Sequence, residues 1–252
     1  MRIADAKHYL ITASLKRDRI ASFDEYPYSL PVCRHLKTLE FHPAVTFLVG
    51  ENGTGKSTLL EAIAVASGFN AEGGSRNLNF STRSSHSPLH ETLALVKGLK
   101  RPRDGYFLRA ESFFNVATEI EHLDEEPAAA PPLINSYGGH SLHEQSHGES
   151  FMKLIMERFG GQGLYLLDEP EAALSPTRQL ALLSRMHDLV KQRSQFIVAT
   201  HSPIIMAYPK ATIYLLGQDS IRRVKYTETE HYAITRGFLN KHEHMLKELL
   251  SE

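Results

Sequence analysis

The chain has a single cysteine, Cys33, so no disulfide can close within it and no zinc cage can be made of its thiolates. No apolar run approaches the roughly 18–20 residues of a membrane-spanning helix, and no charged-then-apolar leader opens the sequence. A net charge of −1 gives no global basic field of the kind that makes nucleic-acid binding automatic, although a local basic patch stays open. Internal repeats are absent. These absences point to a globular protein working in the reducing cytoplasm, without an integral membrane segment. What is present is ordinary in bulk, with 42% hydrophobic and 23% charged residues over 252 positions. That is enough chain for one large α/β domain, or for a core with a subdomain.

One segment is not ordinary. Gly50, Glu51, Asn52, Gly53, Thr54, Gly55, Lys56 and Ser57 spell a complete phosphate-binding loop, followed by Thr58. Glycines let the backbone curl so that its N–H groups converge on phosphate oxygens. Lys56 brings a point charge to the β and γ phosphates, and Ser57 brings a hydroxyl to Mg²⁺. The context agrees. Residues 44–49 form an apolar, β-branched strand, and a helix opening at Ser57 aims its N-terminus at the phosphates. ATP and Mg²⁺ are the expected ligands.

Elsewhere the pattern is of strands separated by helices. Residues 1–40 read as strands and turns, with Pro27 and Pro31 set against any helix. Residues 69–105 form a polar, turn-rich insert with a short helix near Leu89–Leu99. A strand over Gly105–Ala110 leads to a helix near Phe113–Leu123, and residues 124–132 read as a mobile loop or short linker. Beyond Ser150, helices near 150–159, 176–192 and 236–250 alternate with strands at 164–167, 195–200 and 211–216. Such spacing predicts a mostly parallel sheet in an α/β fold.

Three further motifs gather at strand ends. Residues 163–170 form an apolar strand ending in Asp168 and Glu169, at the edge where α/β ligands bind. Asp168 is placed to hold Mg²⁺, and Glu169 to polarise an attacking water. Ser146 and Glu149 have capping-box spacing around His147 and Gly148, at the start of a helix. His201 ends the next strand, just before Ser202 and Pro203. Weaker features stay open. His140, His143 and His147 have ligand-like spacing, but Gly138 and Gly139 argue against a regular helix there. Arg76 and Arg83 could meet phosphate or solvent, and Tyr26 and Tyr28 could stack on a base or belong to core or surface.

Taken in order from Gly50 to Pro203, these motifs resemble the ATP-binding-cassette ATPases. The short run Ser146–Glu149 and the stretch Glu169–Pro176 resemble the soluble branch with SMC-like, DNA-repair and OLD-type ATPases. The runs Gly50–Gly74, Arg101–Asn115 and Ser136–Phe151 are most similar to a family of small bacterial predicted ATPases in that branch. The resemblance implies a three-layer P-loop fold with a mixed sheet. It implies a nucleotide-binding lobe at about 1–111 and 161–252, with a helical signature subdomain at about 112–160. Ser146, Gly148 and Glu149 become a signature that binds the γ-phosphate held by a second copy. His201 becomes the switch histidine beside Glu169, and Glu111 stands where the family has a glutamine sensing Mg²⁺ and water. Ser175 replaces the usual aspartate of the segment after Glu169. The implied function is an ATPase that forms a head-to-tail homodimer on ATP and acts on nucleic acid or a protein partner. The alternatives are the ATP-binding subunit of an ABC membrane transporter and a slowly hydrolysing scaffold.

Overall fold

A computed structural model describes residues 8–76, 87–125, 132, 134–135 and 147–251. Ser146, Arg83, His140 and His143 lie outside the described residues, and His147 is described in its backbone alone.

The central layer is a seven-stranded mixed sheet. Its strands are β3 (Val45–Val49), β4 (Gly74–Ser75), β6 (Asp104–Arg109), β7 (Gly163–Asp168), β8 (Gln195–Ala199), β9 (Thr212–Leu216) and β10 (Ile221–Val224). They lie in the order β10-β9-β3-β8-β7-β6-β4. The inner pairs are parallel, and both edges, β10 on β9 and β4 on β6, are antiparallel. Strands covered on both faces read as unbroken apolar runs. Alternation is still there in space. Tyr165 and Leu167 of β7 face one core, whereas Leu164 and Leu166 face the other.

The first core is closed by α4 (Phe113–Glu125), α5 (His147–Arg158) and α6 (Pro176–Lys191), which contribute residues such as Ile120, Phe151 and Met186. The second is closed by α2 (Lys56–Ala66) and by an antiparallel sheet in the order β2-β1-β5. That sheet comprises β1 (Leu10–Leu15), β2 (Thr38–Glu40) and β5 (Leu93–Lys97). Cys33 is buried in this second core, where burial pushes its thiol up to about 12.

The three-layer α/β expectation holds, and several local expectations do not. Pro31 starts a helix, α1 (Pro31–His35), because proline at the first helical position loses no needed hydrogen bond. The helix expected over Leu89–Leu99 shrinks to α3 (Leu89–Thr92). The rest is β5, drawn into extended form by pairing with β1 from Leu10↔Lys97 to Leu15↔Leu93. The strand β10 was not expected. The last helix, α7 (Glu230–Leu249), starts earlier than expected. Thr229 caps it, its hydroxyl accepting from the Tyr232 N–H at 3.4 Å. Its helical geometry breaks at Lys241, and none of its residues is buried.

A single amide ties the antiparallel sheet to the central one. Gln195 is fully buried at the start of β8. Its Oε1 accepts from the Tyr9 and Leu10 N–H groups at 3.0 and 2.9 Å, and its Nε2 donates to the Leu10 and His42 carbonyls at 2.8 and 3.0 Å. Gln195→Leu would strand these partners away from water. The expected cost is about 3 kcal/mol or more, read as a lower urea midpoint. A loss below about 1 kcal/mol would show that the staple is dispensable.

Candidate nucleotide site

The site forms at the carboxyl ends of β3, β7 and β8. The chain leaves β3 through Gly50, Gly53 and Gly55, at φ of 147°, 81° and 94°, and these backbone angles favour glycine. Gly55 is also fixed by space, since a Cβ there would meet Val32 Cγ1 at 2.5 Å. Short helix α1 braces the loop, with the Val32 N–H donating to the Thr54 carbonyl at 3.1 Å. Lys56 opens α2 and is buried, 4% exposed. Its Nζ donates to the Glu51 carbonyl at 2.9 Å, as does the Thr54 hydroxyl. Burial pushes the Lys56 pKa down, against the pull of Glu169, Asp168, Glu171 and Glu51.

Asp168 ends β7 beside Arg109, its register partner at the end of β6. Arg109 Nε lies 3.4 Å from Asp168 Oδ2, and Arg109 Nη1 lies 2.7 Å from Glu61 Oε2. Burial raises the Asp168 carboxyl to about 6, while Arg109 and a hydrogen bond from Ser57 oppose that rise. Its Oδ1 is buried and has no hydrogen-bond partner among the described residues. An orphaned carboxylate oxygen beside a serine hydroxyl is a hard-oxygen donor set of the kind that suits Mg²⁺. No group of three His, Cys, Asp or Glu side chains is arranged around a metal among the described residues. A cation here would therefore lean on phosphate and water for its remaining ligands.

Glu169 continues the ladder by one bond, its N–H donating to the Ala199 carbonyl at 2.9 Å. It then turns through a left-handed conformation, φ 48° and ψ 52°, which costs a non-glycine residue roughly 1 kcal/mol. That turn sets its carboxylate on a cleft of about 440 Å³ lined by Ser57, Ala110, Glu111, Asp168, Glu169, Ala172 and Ala173. His201 Nε2 lies 3.6 Å from Glu169 Oε1, a close approach that is too long for a hydrogen bond. Glu171 pins the end of β8, accepting from the Thr200 hydroxyl at 2.8 Å and the His201 N–H at 2.5 Å.

Lys56, Ser57, Asp168, Glu169 and His201 are thus brought together as the sequence suggests. Glu111 sits at the rim of the cleft, 89% exposed and 3.8 Å from Arg109. Gly148 and Glu149 begin α5 against the segment that follows Glu169. A Cβ on Gly148 would meet the Ala173 carbonyl oxygen at 2.7 Å, and Glu149 pairs with Arg178 at 3.2 Å. Tyr26 is 64% exposed, Tyr28 packs against the second core, and Arg76 lies over the Phe69 ring at 5.0 Å.

Four contributors escaped the sequence: Glu61, Arg109, Glu171 and His231, whose Nε2 lies 3.0 Å from His201 Nδ1. Glu61 stands one helical turn after Ser57, which is a readable signal. Arg109 needed the β6–β7 register, and His231 needed the tertiary fold.

Arg109 balances two buried carboxylates, so Arg109→Met should cost about 3 kcal/mol or more in chemical denaturation at pH 8. The Asp168 carboxyl already lies above its unfolded value, and losing the cation raises its folded pKa further. The folded state then binds protons more tightly, and the deficit should shrink as pH falls toward 5. A deficit independent of pH would contradict this charge balance.

Comparison with known proteins agrees with the geometry. Residues 19–116 match a family described as AAA domain. Residues 142–207 match one described as AAA domain, putative AbiEii toxin, Type IV TA system. The ABC transporter G family member STR2 of Medicago truncatula is 27% identical over 172 residues, covering 63% of this chain and 24% of that protein. An uncharacterized ABC transporter ATP-binding protein of Haemophilus influenzae is 34% identical over 77 residues, 30% of this chain and 29% of that protein. The matched stretches thus span about a quarter of each curated relative. Among solved structures, CbiO1 from Clostridium perfringens, part of the ABC transporter complex CbiONQ, superposes with a TM-score of 0.51 at 16% identity. That superposition covers 95% of this chain and 99% of the other. With its phosphate loop and carboxylate strand set in this sheet, the chain carries AAA-type ATPase segments in a P-loop fold like that of an ABC ATPase subunit.

Proposed function

We propose that two copies of the chain close head to tail around ATP, and that closure and hydrolysis form a switch acting on nucleic acid or a partner protein in the cytoplasm. The observation that carries this reading is the placement of α5. Its N-terminus, with Gly148 and Glu149, packs on the segment leaving Glu169, so one element joins the catalytic carboxylate to a helix end suited to anions. In this reading Lys56 and the loop amides hold the β and γ phosphates from one copy. Ser146, Gly148 and Glu149, in a helical subdomain over about 112–160, meet the γ-phosphate of the other. The negative charge of each nucleotide is then neutralised from both sides, which favours closure in the presence of ATP.

Each residue has a role within this scheme. Glu169 orients and polarises the attacking water, and His201 faces Glu169 and the γ-phosphate. Ser57 and Asp168 would hold Mg²⁺, with Glu111 contributing from the rim. The bound cation would offset the charge that builds on the phosphate oxygens during transfer. Arg109 holds Asp168 Oδ2 and leaves Oδ1 for the cation.

A second reading has one observation behind it. Both curated relatives carry ABC transporter names, which favours an ATP-binding subunit working beneath a separate permease. No helix among the described residues is long and apolar enough to cross a membrane. Co-purification with a membrane protein would select this reading.

Glu169→Gln should keep ATP affinity within a few fold and lower turnover by roughly 100-fold or more. With ATP and Mg²⁺ it should elute as a dimer in size-exclusion chromatography. A variant that binds ATP and stays strictly monomeric would sink the dimer switch.

A further inference from the structure

Behind the switch histidine lies a second imidazole with no role so far. His231, in the first turn of α7, places its Nε2 3.0 Å from His201 Nδ1, with ring centroids 5.2 Å apart. The outer nitrogens, His201 Nε2 and His231 Nδ1, are both buried and without hydrogen-bond partners among the described residues. His201 Nε2 is the nitrogen facing Glu169.

His231 is held in place from below. Tyr226 donates its hydroxyl to the Pro203 carbonyl at 2.8 Å, two residues beyond His201. Thr229 is fully buried, donating to the Tyr226 carbonyl at 2.7 Å, and it caps α7 just before His231. The segment leading into α7 is thereby locked to the segment that follows the switch histidine.

We propose that His231 is a positioning residue: its Nε2–H donates to His201 Nδ1 and fixes His201 in the tautomer that carries its proton on Nε2. This inference rests on the switch role given to His201 above. Between two neutral imidazoles one proton must lie on the shared line, and two arrangements exist. If His201 donated from Nδ1, its Nε2 lone pair would face the Glu169 carboxylate, acceptor against acceptor. His231 would then bury an N–H with no acceptor, the rarer kind of orphan. If His231 donates, the outer N–H is the one on His201 Nε2, turned toward the Glu169 carboxylate 3.6 Å away and toward incoming phosphate. The lone pair left over at His231 Nδ1 faces no carboxylate within ion-pair distance among the described residues. Each arrangement leaves one outer N–H and one outer lone pair, and only this one sets the N–H against negative charge. Burial favours neutral rings at both positions, helped by the nearby Lys56 charge and resisted at His201 by Glu169 and at His231 by Glu230 and Glu51. A neutral ring can serve as donor at only one nitrogen, so the partner behind it decides which.

The tautomer can be read directly. Two-bond ¹H–¹⁵N spectra of the ¹⁵N-histidine-labelled wild-type chain, with His201 assigned by its loss in His201→Gln, should show the proton on His201 Nε2. A proton on Nδ1 would overturn the proposal. This measurement does not depend on turnover, so it fails separately from the ATPase reading. Kinetics add a second test. His231→Phe should lower kcat by roughly tenfold or more, the scale seen when a functional histidine loses its orienting partner, with ATP affinity within about twofold. His231→Gln, whose amide nitrogen falls near the lost Nε2, should recover most of the rate. Equal losses in both variants would reduce His231 to a packing residue and overturn the proposal, as would wild-type rates in both. If His231→Phe does not fold, the wild-type spectrum still decides.

Discussion

Buried charge at the carboxyl edge of an otherwise apolar sheet is the constraint on which the site depends. Lys56 and Asp168 are buried, and Arg109, Glu61 and Glu171 largely so, within a few residues of strands whose side chains are mostly apolar. Removing such groups from solvent is costly unless each has a partner. Every backbone detail around the edge supplies one. Glycines bend the loop so that Lys56 can reach the Glu51 carbonyl. Parallel register sets Arg109 beside Asp168. The left-handed turn at Glu169 carries its carboxylate out to the cleft. Among the described residues, Asp168 Oδ1 is the buried carboxylate oxygen left without a partner, and it points to what the site is for.

The same economy explains the layers. A sheet whose inner strands are buried on both faces needs two apolar coverings. Helices α4, α5 and α6 provide one, and α2 with the antiparallel sheet provides the other. The second covering is also a scaffold for the loop, since α1 carries both Val32, which limits Gly55, and the N–H that fixes Thr54. Gln195 binds that covering back to the start of β8, the strand whose far end leads to His201. The packing of the fold and the geometry of the phosphate site are therefore one structure.

Much of this was legible in the chain, and the limits are physical. The phosphate loop, Asp168 and Glu169 can be read because their chemistry is compressed into contiguous residues flanked by apolar strands. The parallel sheet follows from the alternation of strand and helix. The β1–β5 pairing was missed because Leu93–Lys97 has no local mark separating a strand from a helix continuing out of α3, and only its partner decides. Pro31 misled because a residue that ends helices also begins them. Glu171 and His231 both contact His201, and His231 lies thirty positions from it, a separation no local pattern bridges. Ser146 falls outside the described residues, so its part in the site rests on resemblance and on the helix it precedes.

The central claim is that one copy of the chain holds half of a site completed by another. Complementation between two defective variants tests it most directly. Lys56→Ala removes the phosphate-binding lysine and leaves α5 intact. Ser146→Asp puts negative charge just before α5 and leaves both the loop and Gly148 intact. Each alone should be inactive as an ATPase. An equimolar mixture should regain turnover, because a mixed pair contains one intact loop facing one intact α5. A mixture as inactive as its components, with both variants folded and Ser146→Asp still binding ATP, would contradict the account.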